Sequence, residues 1–430
     1  MTALAGPTGP DVDVDTAVAA VREWVAANVP PAWREAGERG GPRAVRTVRT
    51  VAAYQEWYPT FGRSGLVVPT WEVAHGGLGW RRPVAAAVEK VLRPYHLPRL
   101  NPLGLNLAAP ALFAHGTPEQ RDRFLGPIAR AEEIWCQLFS EPGSGSDLAS
   151  LATRARREGD TWIVDGQKVW TTWANRADFG VLLARTDPDL PKHQGITYFL
   201  IEIRQPGIEV RPLRHIGGEA EFFEVFFDGA RVPDSQRVGD IGAGWTVAQA
   251  TLRGERQMVS GSGSGGVDRI GGGSASQLVR LARARSAAGL PGGWSDPVTR
   301  DRVVRLWCEE QARTWTNQRI RARLAGNLPP GPESSIGKVH GTDLNQRIQA
   351  AAADLLGADA VAWPGSPAAS PDEYWEGMPA EVRGMLRSRA NTIEGGTTEV
   401  NKNVIAERVL GLPKEPDPFK GRPWKELPRS

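Results

Sequence analysis

Cysteine is nearly missing from this chain of 430 residues: Cys136 and Cys308 stand alone and far apart. That excludes a disulfide scaffold and a cysteine-ligated zinc site, which need several thiols at close spacing. It fits a reducing compartment, so a cytoplasmic protein is expected. Histidine is also sparse. His75, His96, His115, His193, His215 and His340 are scattered, with none paired at metal-ligand spacing, so no metal is expected. No excess of one charge exists, with 52 Lys and Arg against 49 Asp and Glu and no basic block. Nucleic acid is thereby excluded as a partner. No apolar run approaches the roughly 18 residues of a membrane span. The N-terminus carries Asp11, Asp13 and Asp15 in place of a charged-then-apolar leader pattern. A serine nucleophile elbow, a P-loop and an internal repeat are all lacking.

What the chain does have is length for two or three domains and sixteen tryptophans, best read as packing. Residues 1–14 read as disordered. From Asp15 the pattern is helical, with Ala17, Val21, Trp24 and Val25 at three- and four-residue spacing until Pro30-Pro31 breaks it. Helices and turns continue to about Arg130. Gly76-Gly77-Leu78-Gly79 is one turn, and Thr117-Pro118 with Gln120 is a capping box.

The period then changes. Residues 161–164, an Asp165-Gly166 turn and residues 167–173 read as a hairpin. Strands are expected at 179–185, 195–204, 208–213 and 221–227, with a second Asp-Gly turn at 228–229. Helices return at 244–259, 297–325, 333–356, 381–389 and 398–410, with Gly411 as C-cap and Pro413 beyond. The fold class is α+β: an N-terminal all-α domain (1–134), a middle β-barrel or sandwich (135–240), a C-terminal four-helix bundle (241–413) and a surface tail (414–430). A literal GxGxxG at Gly261, Gly263 and Gly266 follows a helix and lacks a βαβ unit, so it is not a dinucleotide fingerprint.

Three places carry candidate chemistry. Residues 135–147 (WCQLFSEPGSGSD) pass from an apolar, aromatic segment into a Gly/Ser loop. Such side chains can wall a flat ring, and such a loop admits an anion to backbone N–H groups, although a plain surface turn fits it too. With Trp170, Thr171 and Thr172 they offer aromatic surface and hydroxyl donors, against ordinary barrel packing. Glu255 shares a helical face with Ala248, Leu252 and Val259. A carboxylate on an apolar stripe is costly unless paired or useful. Burial there raises its pKa as suits a proton-abstracting base, and an ion pair with Arg253 or Arg256 is the competing reading. Residues 394–399 form a second Gly-rich turn, either a ligand contact or a helix cap.

At these residues the chain resembles the acyl-CoA dehydrogenase family, over nearly all of 15–413. Residues 136–147 (CQLFSEPGSGSD), 166–172 (GQKVWTT) and 393–400 (IEGGTTEV) with 406–411 (AERVLG) carry the resemblance. It implies FAD as cofactor and dehydrogenation of an acyl-CoA thioester. Gln137, Phe139 and Ser140 would line the flavin ring, and Gly145 and Ser146 would approach the phosphates. Trp170, Thr171 and Thr172 would meet the flavin edge, with Thr397 and Glu399 at the closing segment. Ser146, Arg253 and Arg256 would contact substrate.

The position where many members carry the base is Gly395. A smaller set places its base on the first helix of the C-terminal bundle, which here gives Glu255; Glu394 is the reserve. Residues 281–300 lack the family's Arg, Phe-Gly and Gln pattern, and residues 354–359 (DLLGAD) replace its Gln-x-x-Gly-Gly segment. The resemblance therefore leaves room for a homo- or hetero-oligomer in which a partner subunit completes the site. An electron-transfer partner is implied as well. A flavin-poor assembly subunit and a flavin monooxygenase are the competing functions.

Overall fold

The structure, a computed structural model, describes residues 4, 6–260, 273–325, 333–361 and 378–428. Asp13 starts the first helix because its carboxylate accepts from Thr16 N and Thr16 Oγ1, at 2.9 and 2.7 Å. Helix α1 (Val14–Asn28) buries Ala17, Val21, Trp24 and Val25, the four residues expected on one face. Pro31 takes the first position of α2 (Pro31–Val48). α3 (Val51–Gly62), α4 (Arg82–Leu92), α5 (Ala109–His115) and α6 (Pro118–Arg130) complete the helical N-terminal domain. Its core explains much of the tryptophan content. Trp57 lies 6.2 Å from Trp24, 5.4 Å from Trp33 and 6.3 Å from Phe61, ring centre to ring centre.

The leading segment departs from the disorder expected of it over residues 6–13. Gly9 N donates to Leu78 O at 2.8 Å, Trp80 Nε1 donates to Pro7 O at 3.0 Å, and Val12 is buried. The capping box at Thr117 forms as read, with both reciprocal bonds to Gln120. The Gln120 amide also donates to Ser235 O and Arg237 O at 2.8 Å each, so the cap docks α6 onto the next domain.

That domain is one eight-stranded sheet. Its strands are β1 (Trp135–Leu138), β2 (Arg154–Glu158), β3 (Thr161–Thr172), β4 (Phe179–Arg185), β5 (Ile196–Glu202), β6 (Ile208–Leu213), β7 (Phe222–Pro233) and β8 (Arg237–Val238). The order is β6-β7-β3-β2-β4-β5-β8, with β1 added parallel to β4. The sheet curls on itself: Trp162 of β3 meets Phe199 of β5 at 5.3 Å although two strands stand between them. Leu138, Leu182 and Val225 fill the enclosed core.

The hairpin expected at Asp165-Gly166 does not turn. β3 runs straight through, pairing antiparallel with β2 and β7. Gly166 (φ 148) sits at a bulge opposite Asp228-Gly229, and Gly229 N donates to Asp165 Oδ1 at 2.9 Å. The second Asp-Gly pair is likewise a bulge, inside β7. Asp-Gly serves a bulge as readily as a turn, and pairing on both sides decides between them. The real reversal is at Gly159 (φ 61), between β2 and β3.

The C-terminal domain holds α7 (Gly244–Ser260), α8 (Ala275–Ala287), α9 (Pro297–Ala325), α10 (Glu333–Leu356), α11 (Ala380–Ser388) and α12 (Thr398–Val404). α10 is central and touches α7, α8, α9, α11 and α12. α8 was not expected, though Ser274 caps it through Gln277 N at the spacing of a capping box. The last helix loosens into a π-turn at Ile405–Val409 before Gly411 (φ 70). Gly261, Gly263 and Gly266 lie outside the described residues. Among the described residues no helix is long and apolar enough to cross a membrane. The tail is only partly the free surface segment expected: Trp424 is 8% exposed and packs on the β domain.

Candidate active site

Residues 135–147 are held from both ends. Buried Asn101 accepts from Trp135 N and Gly104 N at 3.2 Å each and donates to Ile128 O and Glu133 O, at 3.2 and 2.8 Å. Ile134 N donates to Asp178 Oδ2 at 2.8 Å. β1 then pairs with β4, Gln137 opposite Val181. Phe139 is buried and edge-on to Tyr198 at 6.1 Å. Ser140 O accepts from Val169 N at 2.9 Å, which brings 137–140 beside 169–172.

The Gly/Ser loop is organised by two residues that sequence reasoning did not single out. Lys168 Nζ donates to Phe139 O at 2.9 Å and to Glu141 Oε1 at 2.8 Å, with the lysine side chain fully buried. Glu141 also accepts from Ala152 N and Thr153 N, at 2.6 and 2.9 Å. Burial pushes the Glu141 carboxyl up, but the Lys168 charge and these hydrogen bonds outweigh it and hold it below the usual range. Glu141 and Ser144 exchange backbone bonds across Pro142-Gly143. Gly145 and Ser146 are left exposed at the tip, with open space where a Gly145 Cβ would stand. The readable signal was Lys168 itself, a lysine between Gln167 and Val169 in a strand, which needs an anion once buried.

Trp170 sits at a second β3 bulge with φ 61, a conformation uncommon for a non-glycine residue. The residue is 54% exposed, with its ring edge-on to Phe222 at 5.7 Å. Thr171 is the reverse: buried, with an Oγ1 that has no hydrogen-bond partner among the described residues. Thr172 pairs with Phe222.

The closing segment is tied to this edge through Arg387 of α11. Its Nε donates to Glu221 Oε1 at 2.5 Å and its Nη2 to Glu394 Oε2 at 3.1 Å. Its guanidinium lies 5.4 Å from the centre of the Phe222 ring. Asn391 holds the other Glu394 oxygen at 2.8 Å. The reserve candidate for the base is thus a carboxylate with both oxygens bonded. Gly395 and Gly396 both have positive φ, 64 and 89, which favours glycine over glutamate at position 395. Thr397 is a helix cap, its Oγ1 accepting from Val400 N at 3.1 Å, and Glu399 is exposed.

α7 is the junction of all three domains. Thr251 Oγ1 donates to Leu107 O at 3.1 Å and meets Tyr198 OH at 2.9 Å. Gly254 packs so closely that an added Cβ would stand 1.8 Å from Asn106 O. Position 255 follows directly, four residues after Thr251 on the same helical face. The side chains of Glu255 and Arg256 lie outside the described residues. Arg253 is exposed.

Departures from the family pattern at 281–300 and 354–359 are neighbours in space. Arg285 donates to Pro291 O at 2.5 Å and to Leu355 O and Leu356 O at 2.9 and 3.2 Å. Arg302 pairs with Asp354 at 2.8 Å.

Comparison with known proteins agrees with this arrangement. Profiles of the N-terminal, middle and C-terminal domains of acyl-CoA dehydrogenases match residues 13–132, 136–230 and 242–410. The acyl-CoA dehydrogenase IpdE1 of Mycobacterium tuberculosis is 37% identical over 408 residues, covering 94% of this chain and 99% of that protein. Among solved structures, the Tcur3481–Tcur3483 steroid ACAD is 28% identical at a TM-score of 0.67, covering 92% of this chain and 98% of that one. The ChsE4–ChsE5 complex from Mycobacterium tuberculosis is 26% identical at a TM-score of 0.67, covering 93% and 98%. With its three domains in family order and a relative of 37% identity along nearly its whole length, the chain belongs to the acyl-CoA dehydrogenase family of flavoprotein oxidoreductases.

Proposed function

We propose that this chain introduces an α,β double bond into an acyl-CoA thioester, with Glu255 as the base that takes the α-proton. The observation that carries the reading is the seat of α7. Gly254 against Asn106 O, and Thr251 against Leu107 and Tyr198, set position 255 at the junction where Phe139 also packs.

FAD fits the residues present. Thr171 offers a buried hydroxyl with no partner among the described residues, Trp170 an exposed side chain, and Gly145 and Ser146 an exposed loop tip with open space beside Gly145. Gln137, Phe139, Ser140, Trp170, Thr171 and Thr172 would hold the ring. Gly145 and Ser146 would hold the phosphates, with Thr397 and Glu399 alongside. When bound, FAD supplies the acceptor for the β-hydride. The chain's own part is to orient the thioester, exclude water at the junction and receive the α-proton on the Glu255 carboxylate. Arg253 and Arg256, flanking Glu255 on α7, would meet the CoA portion.

Glu255→Gln is expected to keep flavin bound and to slow anaerobic bleaching of the flavin by substrate by about 10² to 10⁴-fold, the usual weight of a positioned base. Bleaching at the parent rate would remove Glu255 from the mechanism.

The similarity to a steroid ACAD and to a complex of unlike chains supports two further elements. The acyl group is bulky and polycyclic, and the working unit contains an unlike partner subunit. Arg285 is engaged on Leu355 and Leu356, which supports a partner supplying contacts that these segments do not. An electron-transfer protein reoxidises the flavin, and the cytoplasm suits the two free thiols. In a panel of acyl-CoAs, straight short chains are expected to bleach the flavin slowest. A colourless purified protein that stays colourless with FAD would favour the assembly-subunit reading.

A further inference from the structure

The C-terminal segment 411–428 lies beyond all three family profiles, yet part of it docks on the β domain. Trp424 N donates to Leu190 O at 2.9 Å and Lys425 N to Pro188 O at 3.0 Å. Pro423 makes a bridge with Pro191, and Lys425 Nζ pairs with Asp189 at 2.5 Å. The Trp424 ring covers the guanidinium of Arg185 at 4.4 Å. Arg185, 3% exposed at the end of β4, donates to Ala149 O, Leu151 O and Lys192 O at 2.6, 3.2 and 2.9 Å. Trp424 Nε1 donates to Ser150 O at 3.2 Å.

The carbonyls of residues 149, 150 and 151 are therefore all taken, the outer two by Arg185 and the middle one by the tail. These residues follow directly on the exposed Gly145-Ser146 tip. The strand-end loop that the tail braces also reaches that tip, because Lys192 Nζ holds Asp147 at 2.8 and 3.0 Å.

We propose that the tail is a built-in strap, with Trp424 as a positioning residue that rigidifies the 144–151 loop, where Ser146 would contact the CoA chain of the substrate. This rests on the proposed role of that loop in binding. A ring over a buried guanidinium and a hydrogen bond to a carbonyl each lower the open population of the loop. The strap does so without touching the ligand.

The test uses the FAD-loaded protein and free coenzyme A as probe. In Trp424→Ala, and in a chain ending at residue 413, amides of 147–153 are expected to exchange about tenfold faster. The Kd for coenzyme A is expected to rise by about the same factor, while kcat at saturation changes less than KM. Trp424→Phe keeps a ring over Arg185, removes only the N–H to Ser150 and should give an intermediate rise. A peptide of residues 414–430 added to the shortened chain should restore protection and affinity. Unchanged exchange in Trp424→Ala would overturn the strap. Faster exchange with unchanged coenzyme A affinity would overturn its service to the site. A parent protein that bound no coenzyme A would instead refute the substrate contact assigned to Ser146.

Discussion

Glu141 and Lys168 do for the loop what no single motif letter announces. The two side chains are 8% and 0% exposed, and between them they bind a backbone carbonyl and two backbone amides. Removing one partner leaves a buried charge uncompensated, so Glu141→Gln should cost about 3 kcal/mol in thermal or urea unfolding. The pH dependence has a definite sign. A carboxyl whose pKa is depressed by folding stabilises the native state above its ordinary value, and that contribution is lost as pH falls through the folded value. Glu141 is held below its ordinary value of 4.5, and Asp234, bonded by Arg237 and then Trp162, is held down to about 2. Stability should therefore fall as pH drops from about 4.5 toward 2, and less steeply in Glu141→Gln. An equal slope in the two proteins would contradict the assignment. Burial of the Cys136 thiol pushes its pKa well up, so no reactive cysteine is expected at the start of this stretch.

At the scale of elements, α7 matters through its smallest residue. Gly254→Ala would drive a methyl into Asn106 O, and α7 must move away from the π-turn at Gly104–Ala108 to admit it. A loss of about 1–3 kcal/mol is expected, together with a fall in kcat, since position 255 moves with the helix. A melting temperature and kcat both equal to the parent's would show that the contact positions nothing. The glycine was visible in the sequence, but its reason was not, because the carbonyl it meets is more than a hundred residues away. The Asp-Gly pairs give the same lesson in the sheet. Their chemistry was legible, and whether each turned or bulged depended on strands pairing on both sides. α8 was legible from Ser274 and Gln277 and was obscured by the glycines before it.

At the scale of the whole molecule, Arg387 ties the helical bundle to the sheet by holding Glu221 and Glu394 together over Phe222. Lysine cannot serve two carboxylates with a planar fork. Arg387→Lys should therefore keep the fold but release flavin more readily on ultrafiltration, and Arg387→Ala should also lose about 3 kcal/mol of stability. Flavin retained equally by all three proteins would separate this network from the cofactor site.

Much was settled by the chain's own letters. Helix faces, caps, strand periods and the α-then-β-then-α order are local properties, written in spacing and turn chemistry. The motif at 136–147 and the absence of a carboxylate at Gly395 were equally plain. Tertiary structure alone decided which charges pair, that Glu394 is bound by Arg387 and Asn391, that Thr171 keeps a hydroxyl with no partner among the described residues, and that Trp424 returns to the loop after Gly145. Those outcomes depend on contacts between residues far apart in sequence, where neither periodicity nor propensity carries information and only the packing of one element on another selects the partner.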